Sequence, residues 1–220
     1  MVYAYPKQTI FGRVIPKAKI YENCKTTTAL KKIFVQQVKQ IRWANELSQD
    51  VLNIDKTQQV PKIVIVQLDL HTTDISVDVL RTIDKAIPLP IIFELVYNEQ
   101  VKTMAIYKRP SDTNAKKWVT QGDYLFSEWQ SADTPKTSLP NASNLERLYT
   151  RMLSGMLPAG IEKTEDITLS IEKIEQISKL EKQLKNLVSK KQKEKQFNRV
   201  QDIQQKINIL QQQISELKMK

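Results

Sequence analysis

The stretch PKIVIVQLDL, residues 61–70, decides the fold class. Its β-branched residues follow a proline and predict a buried strand over Lys62–Leu70. Beyond it, apolar residues at helical spacing predict a helix over Ser76–Ala86 that stops before Pro88. A strand followed by a helix is the start of a sheet with helices against it.

More strands are predicted on both sides of this unit. Ile91–Tyr97 and Val101–Lys108 flank a short loop at residues 98–100, as a hairpin would. Another strand is expected over Tyr124–Trp129, and residues 10–20 predict one or two short edge strands.

Residues 28–47 predict a single helix, because their apolar positions recur at threes and fours after a threonine N-cap. The predicted order is strand, helix, strand, helix and then three strands. The fold class is therefore α+β or α/β, with a mixed sheet and flanking helices.

Composition changes near residue 160, since all three tryptophans and all seven tyrosines precede it. We divide the chain into an α+β domain at 1–130, a linker with a short helix at 131–160, and a coiled coil or helical hairpin at 161–220. The short helix is expected near 144–153.

The last segment carries an apolar seam that alternates spacings of three and four residues. Its strongest part comprises Val200, Ile203, Ile207, Leu210, Ile214 and Leu217. These are the predicted oligomerisation residues, and the partner helices would come from a second copy or from another protein.

Two structures fit this tail. One straight helix of about 53 residues, roughly 80 Å long, would pair with another chain. A helical hairpin would instead turn near residues 189–196, which contain no apolar residue. The absence of Gly and Pro there favours the straight helix. The hairpin is favoured by this gap and by a one-residue slip in the seam, and we prefer it.

Composition excludes several kinds of site. One cysteine, Cys24, excludes an internal disulfide framework, and one histidine, His71, excludes two-histidine metal sites. We predict no metal and no cofactor. No stretch reaches the roughly 18 apolar residues of a membrane span, and we expect a cytoplasmic protein with no membrane partner.

The net charge of +10 suggests a polyanionic partner. Two basic clusters with a tryptophan nearby are the candidate nucleic-acid-binding residues. The first lies on the predicted 28–47 helix and comprises Lys31, Lys32, Lys39, Arg42 and Trp43. The second comprises Lys108 and Arg109, with Lys116, Lys117 and Trp118 in the loop that follows. For both clusters, ordinary solvated surface is the interpretation that we prefer.

A metal-dependent nuclease is the sharpest catalytic alternative. Asp69, Glu94 and Lys108 lie on three consecutive predicted strands. However, no Glu-x-Lys or Asp-x-Lys lies on a predicted core strand, where that chemistry needs it. We therefore predict a binding or assembly protein rather than an enzyme.

Several segments resemble an uncharacterised bacterial family, domain of unknown function 4391. They are FGRVIPKAKIYEN (11–23), KIFVQQVKQIRWANELS (32–48), VLRTIDKAIPLPIIFELVY (79–97), AIYKRP (105–110), LERLYTRML (145–153) and KEKQFNRVQDI (193–203). The resemblance covers nearly the whole chain. It implies accessory proteins whose genes often neighbour helicases and DNA methyltransferases of restriction or phage-defence systems.

The functional expectation is a non-enzymatic accessory or assembly subunit of a bacterial DNA-modifying or phage-defence complex. It would contact a partner protein, such as a helicase or methyltransferase subunit, and the backbone of DNA. The alternatives are a divergent metal-dependent nuclease and a purely structural oligomerisation module.

Overall fold

The strand predicted over 62–70 lies inside a seven-stranded mixed sheet. A computed structural model describes residues 2–162, 164 and 166–219, apart from the side chains of residues 115, 116 and 219. The chain divides into two compact units, Met1–Met156 and Leu157–Lys220, and the sheet belongs to the first.

The elements alternate along the first unit and become purely helical in the second. The strands are β1 (Tyr3–Ala4), β2 (Ile10–Val14), β3 (Val38–Ser48), β4 (Lys62–Leu70), β5 (Ile91–Tyr97), β6 (Gln100–Ser111), β7 (Asn114–Phe126), β8 (Gln130–Ser131) and β9 (Thr137–Ser138). The helices are α1 (Lys17–Asn23), α2 (Thr28–Gln37), α3 (Gln49–Leu52), α4 (Val77–Ala86), α5 (Leu145–Ser154), α6 (Ile167–Lys193) and α7 (Phe197–Met219).

The sheet order is β2-β3-β4-β5-β6-β7, with β8 paired to β6. Strands β4 and β5 are parallel and are connected through α4, whereas the other neighbours in the sheet are antiparallel. Strands β1 and β9 form a separate parallel pair. The predicted class, a mixed sheet with flanking helices, is confirmed.

The two faces of the sheet carry different helices. Helices α1, α2 and α4 cover one face, which we call the α4 face, and bury Phe34 and Leu80 against Val66 and Phe93. Alternate strand residues point the other way. There α5 packs, and its Tyr149 ring lies 6.1 Å from the ring of Tyr107. Both faces of the central strands are therefore buried.

The single helix predicted over 28–47 is wrong. Helix α2 ends at Gln37, and residues 38–48 form β3. A bulge lies between Val38 and Gln40, and the two buried residues Val38 and Ile41 are therefore three positions apart. That spacing imitates a helix, which is why the periodicity misleads.

Two smaller predictions also change. Only residues 10–14 of the 10–20 segment form a strand, because Pro16 is the N-cap of α1. The strand predicted over 124–129 starts ten residues earlier, at Asn114, and ends at Phe126. The polar segment 114–123 shows no apolar alternation, and its pairing with β6 holds it extended.

The second unit is a helical hairpin, as the preferred interpretation of the tail predicted. Helix α6 ends at Lys193 and α7 begins at Phe197. Across the two helices, Lys191 donates to Gln204 at 2.6 Å and Lys218 pairs with Glu181 at 2.9 Å. These pairings run in opposite directions along the chain, so the helices are antiparallel.

The turn of the hairpin contains neither Gly nor Pro. Instead, the Glu194 carboxylate accepts backbone N–H groups of Lys195 at 2.9 Å and Gln196 at 3.0 Å. These hydrogen bonds hold the pKa of Glu194 below its ordinary value. An acidic side chain thus occupies the polar N-terminal end of α7.

Candidate functional site

A pocket of about 690 Å³ lies between the C-terminal end of α4 and strand β7, on the α4 face. We call it the α4–β7 pocket. Its walls are formed by Arg81, Asp84, Lys85, Pro88, Lys108, Lys117, Trp118, Val119, Thr120 and Tyr124.

Lys108 lies at the floor of this pocket, with only 2% of the residue exposed. Its ammonium donates to the backbone carbonyls of Asp84 and Ile87, the latter at 2.6 Å. It also lies 3.5 Å from the Asp84 carboxylate. Since those carbonyls belong to the negative end of the α4 dipole, Lys108 caps the helix from the sheet.

Asp84 completes the floor. Its second carboxylate oxygen accepts the Tyr124 hydroxyl at 2.5 Å. Burial raises the pKa of Asp84 and lowers the pKa of Lys108, and the attraction between them opposes both shifts. Burial and the neighbouring Asp84 raise the pKa of Tyr124, which therefore stays a protonated donor. The floor is a closed hydrogen-bond network with no free nucleophile.

A second tyrosine supports Lys108 from the opposite face of the sheet. The Tyr149 hydroxyl donates to the Ile106 carbonyl at 2.8 Å and accepts the Lys108 backbone N–H at 3.1 Å. This contact lies at a bulge in the β6–β7 pairing, between Ala105 and Tyr107. The fully buried Tyr149 thus satisfies backbone groups that an irregular ladder leaves unpaired.

The rim of the pocket is basic. Arg81 and Lys85 are exposed and lie four residues apart on α4, hence on one side of the helix. Lys117 is exposed on β7. Arg81 is 3.7 Å from the exposed Asp78, a weak pair in solvent. With Lys108 and Asp84 compensating each other at the floor, the rim leaves the pocket positive.

The first sequence-predicted cluster is divided between two elements. Lys31 and Lys32 are exposed on α2, whereas Lys39, Arg42 and Trp43 lie on β3. The common helical arc inferred for them is therefore wrong.

Trp43 of this cluster packs largely against residues of the same domain. Its ring is 5.2 Å from that of Phe11 and packs against the core, and Arg42 donates to Gln40 at 2.8 Å. These contacts leave Lys31, Lys32 and Lys39 as exposed cations of the cluster.

The second cluster is also redistributed. Lys108 donates inward, so we assign it a structural role in place of the predicted phosphate contact. Arg109 pairs with Asp112 at 2.7 Å. Lys117 and Trp118 line the pocket from strand β7, whereas the sequence predicted them in a loop. The side chain of Lys116 lies outside the described residues.

The three predicted nuclease residues do not all come together: Asp69 and Glu94 lie on the same face of neighbouring strands, because Gln67, two residues before Asp69, is opposite Glu94, but Lys108 does not join them. Glu94 lies opposite Thr103 on β6, and Lys108 is five positions further along that strand, so the two side chains occupy opposite faces. Asp69 accepts a hydrogen bond from Gln67 at 2.7 Å. Within the described part of the chain, no three His, Cys, Asp or Glu side chains are arranged to hold a metal.

Glu94 instead lies beside Tyr5 on the face opposite α4. Burial raises the pKa of Glu94, and the attraction of Lys136 opposes that shift. Burial also raises the pKa of Tyr5. One Glu94 carboxylate oxygen and the Tyr5 hydroxyl are buried without a hydrogen bond of normal geometry.

The predicted oligomerisation residues line the interior of the hairpin. Ile203, Ile207 and Ile214 are buried, and Val200, Leu210 and Leu217 are half-buried. Beside them, an open groove of about 530 Å³ runs between α6 and α7, with Leu180 and Leu217 among its lining residues. Two helices alone therefore leave part of the seam uncovered.

Sequence reasoning missed Asp84, Tyr124 and Tyr149. Asp84 gave one signal: it follows the buried Ile83 on α4, and an acid next to the apolar side of an amphipathic helix needs a partner. The two tyrosines gave no signal, because their partners are 40 or more residues away in sequence.

The fold and the site define a mixed-sheet protein with a basic pocket and a helical hairpin. The chain matches the family described as Domain of unknown function (DUF4391) over residues 4–214 and belongs to it. No curated protein and no solved structure matches the chain. In the described residues, none of the helices combines the length and the apolarity needed to traverse a bilayer.

Proposed function

We propose that this protein is a non-enzymatic accessory subunit of a bacterial DNA-modifying or phage-defence assembly, and that it holds nucleic acid by its phosphates. The observation that carries the proposal is the rim of the α4–β7 pocket. Three exposed cations, Arg81, Lys85 and Lys117, line this concave surface together with Trp118.

The distribution of charge supports phosphate as the group recognised. The floor charges of Lys108 and Asp84 compensate each other, so the rim cations determine the sign of the pocket. Their exposed side chains can reach a ligand without giving up buried partners. Such contacts release counterions from a nucleic acid and make binding depend on salt.

A non-enzymatic role is supported by the closed floor network. The Lys108 ammonium and the Tyr124 hydroxyl donate to protein acceptors. A general base or nucleophile must be able to reach a substrate atom. We assign these groups to holding the pocket in shape.

The hairpin supplies the assembly surface in this proposal. Its groove exposes part of an apolar seam, including Leu180 and Leu217, between three glutamines, a lysine and a glutamate. Helices that leave such a seam open associate by packing further helices into it. The partner helices come from a second copy or from a larger subunit of the same assembly.

Salt-dependent binding of fluorescent oligonucleotides tests the nucleic-acid role. Reversing two rim charges, with Lys85→Glu and Lys117→Glu together, is expected to lower affinity at least tenfold near 0.1 M salt. The slope of log K against log salt should fall by roughly 1 to 2. The control is Lys7→Glu with Lys56→Glu, an equal change of net charge at exposed lysines outside the pocket.

Two results would contradict the proposal. Equal losses in the pocket and control variants would show attraction by net charge alone. An affinity that does not change with salt concentration would contradict the proposed contacts to phosphate. A third variant, Lys31→Glu with Lys32→Glu, asks separately whether the exposed α2 cations of the sequence-predicted cluster take part.

A further inference from the structure

We infer that the α4–β7 pocket takes one unpaired nucleotide of a single strand, with its base stacked on Trp118 and its flanking phosphates on the rim cations. This inference rests on the proposed function and specifies its ligand. It divides the pocket into an aromatic wall formed by Trp118 of β7 and a set of cations formed by Arg81 and Lys85 of α4 with Lys117 of β7.

The aromatic wall is Trp118. It pairs with Pro110 across the β6–β7 ladder and is half-buried, so the strand fixes its backbone while part of the indole stays open. Trp118 takes part in none of the ring–ring contacts found among the described side chains, whereas the Trp43 ring lies 5.2 Å from that of Phe11. Trp129 packs against the core. Trp118 is therefore the tryptophan that is available to a ligand.

The cations come from both α4 and β7. Arg81 and Lys85 are one helical turn apart on the same side of α4, and Lys117 adds a third charge from β7. A strand that placed one base in the pocket would bring a phosphate on each side of that base to this rim. Stacking platforms flanked by basic side chains are the common solution for single-stranded nucleic acid.

The size of the pocket favours a single unpaired base. A volume of about 690 Å³ is that of a small-ligand site and accommodates one nucleotide. A base inside a duplex is stacked on both faces and cannot present one to Trp118 without leaving the helix. Thr120, which is exposed on β7 and lines the pocket, offers its hydroxyl to the edge of the inserted base.

The test compares a twelve-residue deoxythymidine strand with the same strand in a duplex, using the full-length chain. We expect the single strand to bind at least tenfold more tightly and to quench tryptophan fluorescence. Trp118→Ala should weaken single-strand binding by about 5- to 100-fold, the usual effect of losing one stacked base. Its salt slope should stay unchanged, and Trp118→Phe should keep most of the affinity.

Trp129→Phe is the matched control, because it removes a tryptophan outside the pocket and should leave the quenching in place. Thymidine monophosphate tests a free nucleotide as the ligand. Binding of that nucleotide as tight as binding of the strand would overturn the single-strand inference.

The inference also fails if duplex and single strand bind equally, or if Trp118→Ala costs nothing while reversal of Lys85 and Lys117 still abolishes salt-dependent binding. In that case the proposed function survives. The absence of any salt-dependent binding would remove both. Far-ultraviolet circular dichroism checks that the Trp118→Ala variant is folded. If that variant is unfolded, the affinity of Trp118→Phe and the quenching of tryptophan fluorescence test the inference instead.

Discussion

Replacing Lys108 by methionine should destabilise the first unit by about 3–5 kcal/mol, the usual cost of removing one partner of a buried ion pair. Methionine is nearly as long as lysine and adapts to irregular space, so little of this loss comes from an empty cavity. The loss arises from what remains: the Asp84 carboxylate has no cation, and the Asp84 carbonyl has lost its Lys108 donor. The Ile87 carbonyl keeps only the Leu89 N–H at 2.9 Å.

Each contribution follows from a contact of Lys108. An unsatisfied buried acceptor costs about 1–3 kcal/mol, and a buried charge costs more. The hydroxyl of Tyr124 still donates to Asp84 and offsets part of that cost. Protonation of Asp84 offsets more, because burial already raises its pKa. The expected value therefore stays below the sum of the separate penalties.

Urea unfolding followed by circular dichroism measures the effect, and Lys62→Met is the control. Lys62 lies 2.6 Å from Glu46, closer than Lys108 is to the Asp84 carboxylate, but its side chain is 45% exposed. Exposed pairs contribute about 0–1 kcal/mol. Burial, not distance, thus determines the expected order of the two variants.

A double-mutant cycle with Asp84→Asn isolates the pair. Because each single change leaves a buried group without its partner, the double variant should lose less than the sum of the two, by about 0.5–3 kcal/mol. A Lys108→Met loss below about 1 kcal/mol, or strictly additive losses, would refute the assignment of Lys108 as the cap of α4.

Three further predictions concern other parts of the chain. Burial raises the pKa of Glu94 above its ordinary 4.5, so the free energy of unfolding should fall as pH rises from 4.5 through the raised value. Glu94→Gln should remove that fall in urea titrations. Parallel pH profiles of stability for the parent chain and the variant would contradict this prediction. Tyr149→Phe should cost about 1–3 kcal/mol in the same assay, because two buried backbone groups lose their partner; an unchanged midpoint would contradict this. Leu180→Glu with Leu217→Glu should reduce the molar mass measured by light scattering, whereas Leu169→Glu, at a position already 55% exposed, should not. A monomeric parent chain would contradict self-association through this groove and leave a larger subunit as its partner.

The parts of the fold with unbroken periodicity were predictable. Strands β4 and β5 and helix α4 follow the expected boundaries closely, because their buried residues recur at the spacing of their own element. The turn at residues 98–99 also agrees: Asn98 and Glu99 both have positive φ, as a two-residue hairpin turn requires.

Elements held by their neighbours were not predictable. Strand β7 is polar over residues 114–123 and is extended because β6 pairs with it. The bulge between Val38 and Gln40 gives the start of β3 the spacing of buried residues that is typical of a helix. The floor of the pocket was equally hard to predict from the sequence, because Asp84, Lys108 and Tyr124 come into contact only when α4 packs on the sheet. Local spacing contains no information on such contacts.

The parallel alignment of β4 and β5 has a kinetic consequence. Strands β5, β6 and β7 form a meander with short connections, which can assemble early because little loop entropy is lost. Pairing of β4 with β5 must wait for the longer connection through α4. The Asp84–Lys108 pair joins these two portions, so we expect it to close after the rate-limiting barrier has been crossed. Substitutions at Asp84 should then accelerate unfolding while leaving the refolding rate almost unchanged.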